Sequence, residues 1–399
     1  MRLLIQNGRV VHPVTGTVIL QDILVENGRI VLMEHGLDVE ADRVIDASKL
    51  FVAPGLVDMH VHLRDPGLTY KEDILTGCAA AARGGVTSVA CMANTSPAVD
   101  CPEQVKYVLN RAREANGVGV YPIAALSKGL RGEEPTDAEA LKAAGAVALS
   151  DDGSNVDNAN LMRDVLILAR QLWLEGRPAI AEEIMVMRDA MLSEETGARV
   201  HICHVSTARS VEIIRKMKKK GVPITCETCP QYFTLTEDEV LRQGAMARVN
   251  PPLRTQKDVH GIIAGLKDGT IDVIATDHAP HSVEEKARPL SRAPSGMIGL
   301  ETSLALTLTQ MYHGKKMDLP NIFRRMSTNP ADILRLARGH MSVGAVADLV
   351  IFDPDEEWII DPEQFASKAR NTPFAGRSVK GRVKYTIVKG QVIYQDERI

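Results

Sequence analysis

The spacing of apolar residues changes twice along the chain. Through the first fifty-odd residues apolar and polar positions alternate, and Asn7-Gly8 and Asn27-Gly28 are dipeptides suited to tight hairpin turns. The end behaves alike: residues 347–352 and 385–394 read as short strands joined by turns. The two ends are expected to pair into one small β domain, residues 1–54 and 340–399. In 55–339 the texture differs. Short β-rich runs at 56–63, 86–93, 118–125, 146–151, 199–205, 222–229 and 271–278 alternate with helical stretches such as 72–82, 137–144 and 210–219. Repeated βα predicts a parallel sheet covered by helices. Strand ends rich in ionisable residues fit an α/β fold, a (β/α)8 barrel of the TIM type, with its active site on that rim. The runs number seven, however, not eight. Helical patterns at 161–172 and 180–196 nearly adjoin, leaving only Arg177-Pro178-Ala179-Ile180 for a strand between them.

Composition adds bounds rather than chemistry. A length of 399 residues, 45% hydrophobic content and a net charge of −4 describe a globular chain with no basic stripe suited to nucleic acid. The densest basic run, Arg215 to Lys220, closes a predicted helix, where cations oppose the dipole favourably. The start, MRLLIQNGRVVHP, lacks signal-peptide architecture, and no apolar run reaches membrane-spanning length, so a cytoplasmic location is expected. Six scattered cysteines fit reduced core thiols. Cys226-Glu227-Thr228-Cys229 is formally C-x-x-C, but it has no second pair and reads as structural.

Chemistry enters with VDMHVHLRDPG (57–67). In a strand, residues two apart share a face, so His60 and His62 stand side by side, an arrangement suited to a borderline metal. A buried strand with two satisfied histidines would give the same text. Asp277 closes the last apolar run, Asp151-Asp152 closes 147–150, and His204 closes 200–203. A buried acid is costly unless paired or metal-bound. Singly each is as readily a cap or a core polar group; jointly they form an N/O ligand set suited to zinc.

With YKEDILTG (70–77), CMANTSP (91–97), SDDG (150–153), HICHVST (201–207), NPPLR (250–254), IATDHAPH (274–281), GLETSL (299–304) and NTPFAGRSVKG (371–381), the chain resembles a dihydroorotase. The resemblance is to the bacterial class of the amidohydrolase superfamily that lacks a carbamylated lysine. It implies two zinc ions: His60 and His62 on one with Asp277 beside it, Asp151 bridging to a second, and His204 on that second ion. Asp277 would carry the proton from the attacking water to the leaving nitrogen of dihydroorotate. Arg64, Asn94 and His281 would bind the substrate carboxylate, and Asn250 the pyrimidine ring. The implied product is carbamoyl aspartate, with the reverse reaction serving pyrimidine synthesis. The implied partners are this small-molecule substrate and a second copy in a homodimer, with no nucleic acid and no membrane. An association with aspartate transcarbamoylase is left open.

One part of the resemblance fails. The family's fifth strand, ending in H-x-E-D and supplying a histidine to the second zinc, has no counterpart here, and no histidine lies between His62 and His201. On the order of thirty residues are missing, about one βα step of such a barrel. Either a segment is left out of the chain as written, or the deletion is real and Asp151 and His204 alone hold the second ion. Two other activities compete. Gln231-Tyr232 after Pro230 is similar to hydantoinases and allantoinases, but Arg64 and the aspartate at 151 argue against them. A catalytically silent subunit supporting a transcarbamoylase accounts for the missing motif but not for the retained His60, His62, Arg64 and Asp277.

Overall fold

A computed structural model describes residues 1–153 and 179–397. The helix expected at 161–172, and residues 177–178, lie outside the described residues; Ala179 and Ile180 begin the helix Ala179–Thr196.

Both ends of the chain contribute to one eight-stranded sheet. Strands β1 (Arg2–His12), β2 (Thr17–Glu26), β3 (Arg29–Glu34), β4 (Arg43–Asp46) and β5 (Phe51–Pro54) come from the beginning. The sheet runs β15-β14-β13-β5-β1-β2-β3, with β4 beside β1, where β13 is Leu349–Ile359, β14 Ser378–Val388 and β15 Gln391–Gln395. Leu3, Ile5, Val10, Ile23, Val25 and Ile30 pack with Leu349, Ile351 and Ile387 in one apolar cluster. Asn27-Gly28 makes the expected hairpin turn, with both residues at positive φ between the paired Glu26 and Arg29. Asn7-Gly8 does not turn the chain. It is a bulge inside β1, where the register against β2 shifts between Ile5 and Gly8. Asn7 takes φ +61, its N–H donates to Asp22 (2.7 Å), and a Cβ on Gly8 would meet Val52 at 2.6 Å. The same left-handed preference thus serves a bulge here and a turn at 27–28.

Each of the seven apolar runs between carries a strand: β6 (Leu56–Val61), β7 (Val86–Cys91), β8 (Gly119–Ala124), β9 (Ala148–Leu149), β10 (Val200–Ile202), β11 (Ile224–Thr228) and β12 (Val273–Ile274). Strands β6 and β7 are buried throughout, as parallel strands covered on both faces must be. They form two parallel sheets, β6-β7-β8-β9 and β10-β11-β12. Beyond β12 the chain meets β6: Val61 bridges His278 in parallel, and His62 N–H donates to the His278 carbonyl at 2.9 Å. Asp58 fastens the same seam by accepting from Thr276 N–H at 3.2 Å. On the other side, no pairing joins β9 to β10 among the described residues.

Helices follow the strands. The helix Ala208–Lys219 shows why the basic run lies where it does: Thr207 caps its start by accepting from Ser210 N–H. Val211, Ile213, Ile214 and Met217 face inward, and the lysines gather in its last turn. Lys218 reaches Asp272 at 2.5 Å and Arg215 reaches Asp268 at 2.7 Å, so part of this run ties helix to barrel. All six cysteines are free thiols. No helix among the described residues is long and apolar enough to cross a membrane.

Candidate metal centre

The end of β6 and the loops after β9, β10 and β12 bring five side chains to one point: His60, His62, Asp152, His204 and Asp277. His62 Nε2 lies 3.2 Å from Asp277 Oδ1 and 3.6 Å from Asp152 Oδ2. His60 Nε2 lies 3.5 Å from Asp277 Oδ1 and 3.6 Å from Asp152 Oδ1. His204 Nε2 lies 3.3 Å from Asp152 Oδ1. Three of the local backbones are strained: Arg64, His204 and Asp277 sit at φ +59, +37 and +50. Non-glycine residues rarely adopt this region, and clusters of them mark sites where geometry serves function.

The outer faces of the imidazoles fix what the inner faces offer. His60 Nδ1 lies 2.6 Å from Glu227 Oε1. A carboxylate only accepts, so Nδ1 carries a proton, and in the neutral ring Nε2 keeps its lone pair. His62 Nδ1 likewise donates to Asn94 Oδ1 (2.8 Å), and the Asn94 amide nitrogen donates to Asp152 Oδ2 (3.2 Å), which settles which way that amide points. His60 Nε2 is fully buried yet has no hydrogen-bond partner. Lone pairs and carboxylates aimed at one another across 3.2–3.6 Å require positive charge between them. Borderline divalent ions with bonds of about 2.0–2.1 Å to nitrogen and oxygen suit donors spaced in this way. The donor set fits a metal.

The buried carboxylates favour positive charge at this point. Burial pulls the His60 imidazole down, but the charges of Glu227 and Asp152 outweigh it and hold it well above its usual value. Burial pushes Asp152 up, yet His60, His204 and His62 hold its carboxyl well below the ordinary range. Burial also pulls the Arg64 guanidinium down, opposed by the charges of Asp277, Asp152 and Glu285.

Of the five expected ligands, His60, His62, His204 and Asp277 converge, whereas Asp151 does not and its neighbour Asp152 takes that place. Asp151 is turned away. Its carboxylate accepts from Leu126 N–H (2.8 Å), Ser127 N–H (3.1 Å) and Ser127 Oγ (2.5 Å), closing the loop after β8. In the turn after β9 the two adjacent side chains diverge, so Asp152, not Asp151, enters the cradle.

Among the expected substrate contacts, Arg64 is buried beside the cradle, its Nε donating to the Pro280 carbonyl at 3.3 Å. His281 Nε2 donates to the Ser295 carbonyl (2.9 Å), leaving the buried Nδ1 without a hydrogen-bond partner, 3.6 Å from Glu285. Asn94 is occupied by His62 and Asp152 rather than standing open. Asn250 is partly buried at the Asn250–Pro251 peptide, and no side-chain contact ties it to the cradle among the described residues. Glu227 escaped the sequence reading, hidden inside the C-x-x-C. A glutamate within an apolar strand is as costly to bury as Asp277 and asks for a partner on the same grounds.

Known proteins resemble the chain along nearly its whole length. Residues 48–172 match a family described as dihydro-orotase-like, and residues 152–393 match the amidohydrolase family. The chain is 45% identical to a dihydroorotase of Acetivibrio thermocellus, over 99% of both chains, and 47% identical to one of Ruminiclostridium cellulolyticum, over 98% of both. The alignment with a Pelotomaculum thermopropionicum dihydroorotase spans 428 positions and all of both chains, against 399 residues here. That relative therefore holds internal residues which this chain lacks. In three dimensions the chain is similar to an L-hydantoinase (dihydropyrimidinase) of Arthrobacter aurescens, with a TM-score of 0.90, 26% identity and coverage of 98% of this chain and 96% of that one. The fold is that of a TIM-type barrel carrying a β domain, and by these relatives the chain belongs to the dihydroorotase family of amidohydrolases.

Proposed function

We propose that the chain is a metal-dependent dihydroorotase, opening the cyclic amide of dihydroorotate to carbamoyl aspartate and closing it in pyrimidine synthesis. The observation that carries this reading is the convergence of His60, His62, Asp152, His204 and Asp277 around the unpartnered His60 Nε2. A divalent ion held there would supply Lewis-acid polarisation of the amide carbonyl and lower the pKa of water. Asp277 takes the proton of the attacking water and returns it to the departing ring nitrogen, work that suits a carboxylate at a metal. Arg64 receives the substrate carboxylate in its planar fork, with His281 beside it. Asn94 braces His62 and Asp152 while bordering the same space, and Asn250 meets the ring.

Zinc suits three imidazoles and two carboxylates. His60, His62 and Asp277, with Asp152, would hold a first ion. Among the described residues only Asp152 and His204 would be left for a second, which would be held more weakly. The barrel spans 55–339 and, among the described residues, has no strand between β9 and β10; the β domain is built from 1–54 and 340–399. Internal residues present in a relative and missing here are in keeping with one βα step fewer in this sequence. Sequence identity of 44–47% to dihydroorotases, against 22–26% to the hydantoinases of similar fold, favours dihydroorotate over hydantoins.

The absence of a histidine between His62 and His201 favours a second reading, a silent subunit. Assaying the zinc-loaded full chain against dihydroorotate, hydantoin and allantoin separates them. Turnover of dihydroorotate above the other two supports the enzyme; bound zinc with no turnover of any of them supports the silent subunit.

A further inference from the structure

Glu227 takes no part in the proton transfers or substrate contacts proposed for the centre, yet it is fully buried on β11 beneath the cradle. One carboxylate oxygen receives His60 Nδ1–H at 2.6 Å, and the other lies 3.3 Å from His201 Nε2. His201 is fixed in turn through Nδ1, 2.8 Å from the Thr225 hydroxyl. Thr225, Glu227, His201 and His60 thus form a chain across three strands, β11, β10 and β6, ending on the imidazole whose inner nitrogen has no partner. Burial pushes the Glu227 carboxyl up, but His60 and His201 outweigh it and hold it well below the ordinary range.

The geometry points to Glu227 as a positioning residue for the metal centre: it fixes the tautomer and rotation of His60 so that Nε2 faces the ion, and His201 holds Glu227 in register. A carboxylate on the outer nitrogen of a ligand histidine also makes the inner nitrogen a stronger donor. Glu227 does not itself hold the ion. With Cys203 and His60 it forms a compact donor group, but its oxygen is already engaged at Nδ1, on the opposite side of the ring from Nε2. The inference rests on the metal-centre reading above and adds the residue that orients its most buried ligand.

The test uses the metal-free full chain. Zn2+ affinity is measured by competition with a chromogenic chelator, the visible spectrum is recorded with Co2+, and circular dichroism reports the fold. Glu227→Gln and Glu227→Ala are expected to bind the first ion about 10–100-fold more weakly, Ala the more so, with an altered Co2+ spectrum. His201→Asn, which removes only the outer support, should give a smaller loss of about 2–10-fold and remains informative should a Glu227 variant not fold. Folded variants with parental Zn2+ affinity and an unchanged Co2+ spectrum overturn the inference while leaving the metal centre standing. A parent chain that binds no metal overturns both.

Discussion

The two sides of the cradle are built differently. His60, His62 and Asp277 stand on β6 and just beyond β12, segments locked together by the Val61–His278 bridge, by His62 N–H on the His278 carbonyl and by Asp58 on Thr276. Glu227 and Asn94 brace their outer faces. Asp152 and His204 follow β9 and β10, strands of two and three residues that do not pair with each other among the described residues. His204 keeps 21% side-chain exposure where His60 has none. One side is over-determined; on the other, Asn94 also ties Asp152, and the His204 ring has only Asp152 as a hydrogen-bond partner among the described residues. Metal affinity should follow that difference, because a ligand held before the ion arrives loses less freedom on binding.

The largest expected effect lies on the braced side. Asp277→Asn should lower kcat about 100–10 000-fold with circular dichroism unchanged, since it removes the proposed proton carrier; a near-parental rate would remove Asp277 from that role. On the other side, Asp152→Asn and Asp151→Asn make a matched pair. The first should weaken metal binding about 10–100-fold. The second should leave binding near parental and cost on the order of 1–3 kcal/mol of stability through lost acceptors at Leu126 and Ser127. Exchanged outcomes would restore Asp151 as the ligand. Arg64→Ala should raise KM for dihydroorotate about 10–100-fold while metal affinity holds; equal loss of both would place Arg64 in the cradle instead of beside it.

The smallest effect probes a buried acid outside both sides. Glu301 accepts from Ala366 and Ser367 N–H, and burial pushes its carboxyl up from 4.5 to about 7. Because folding raises this pKa, its contribution to stability is complete below the ordinary value and is lost as pH rises through 7. The melting temperature of Glu301→Gln relative to the parent should therefore climb between pH 5 and 8. A constant difference would show that this carboxyl keeps its ordinary value in the fold.

What the sequence disclosed follows from how each feature is encoded. Runs such as VTSVAC at 86–91 announce strands because burial on both faces demands continuous apolar text. Strands β9 and β12 span two residues each, with Asp151-Asp152 and Asp277-His278 a few positions beyond them. The braced side of the cradle was legible for the same reason: H-x-H and a terminal aspartate are conspicuous in apolar surroundings. SDDG offered two adjacent carboxylates facing opposite ways, and only the loop at Leu126 and Ser127 decides between them. Asn7-Gly8 misled because a bulge and a hairpin ask for the same backbone. Glu227 was legible and overlooked, its strand being read for its cysteines.

Calorimetric titration of the metal-free full chain with Zn2+ tests the uneven cradle most directly. One tight equivalent per chain, followed by a second at least about 100-fold weaker or undetectable, is the expected result. Two equally tight equivalents, or none, would contradict it.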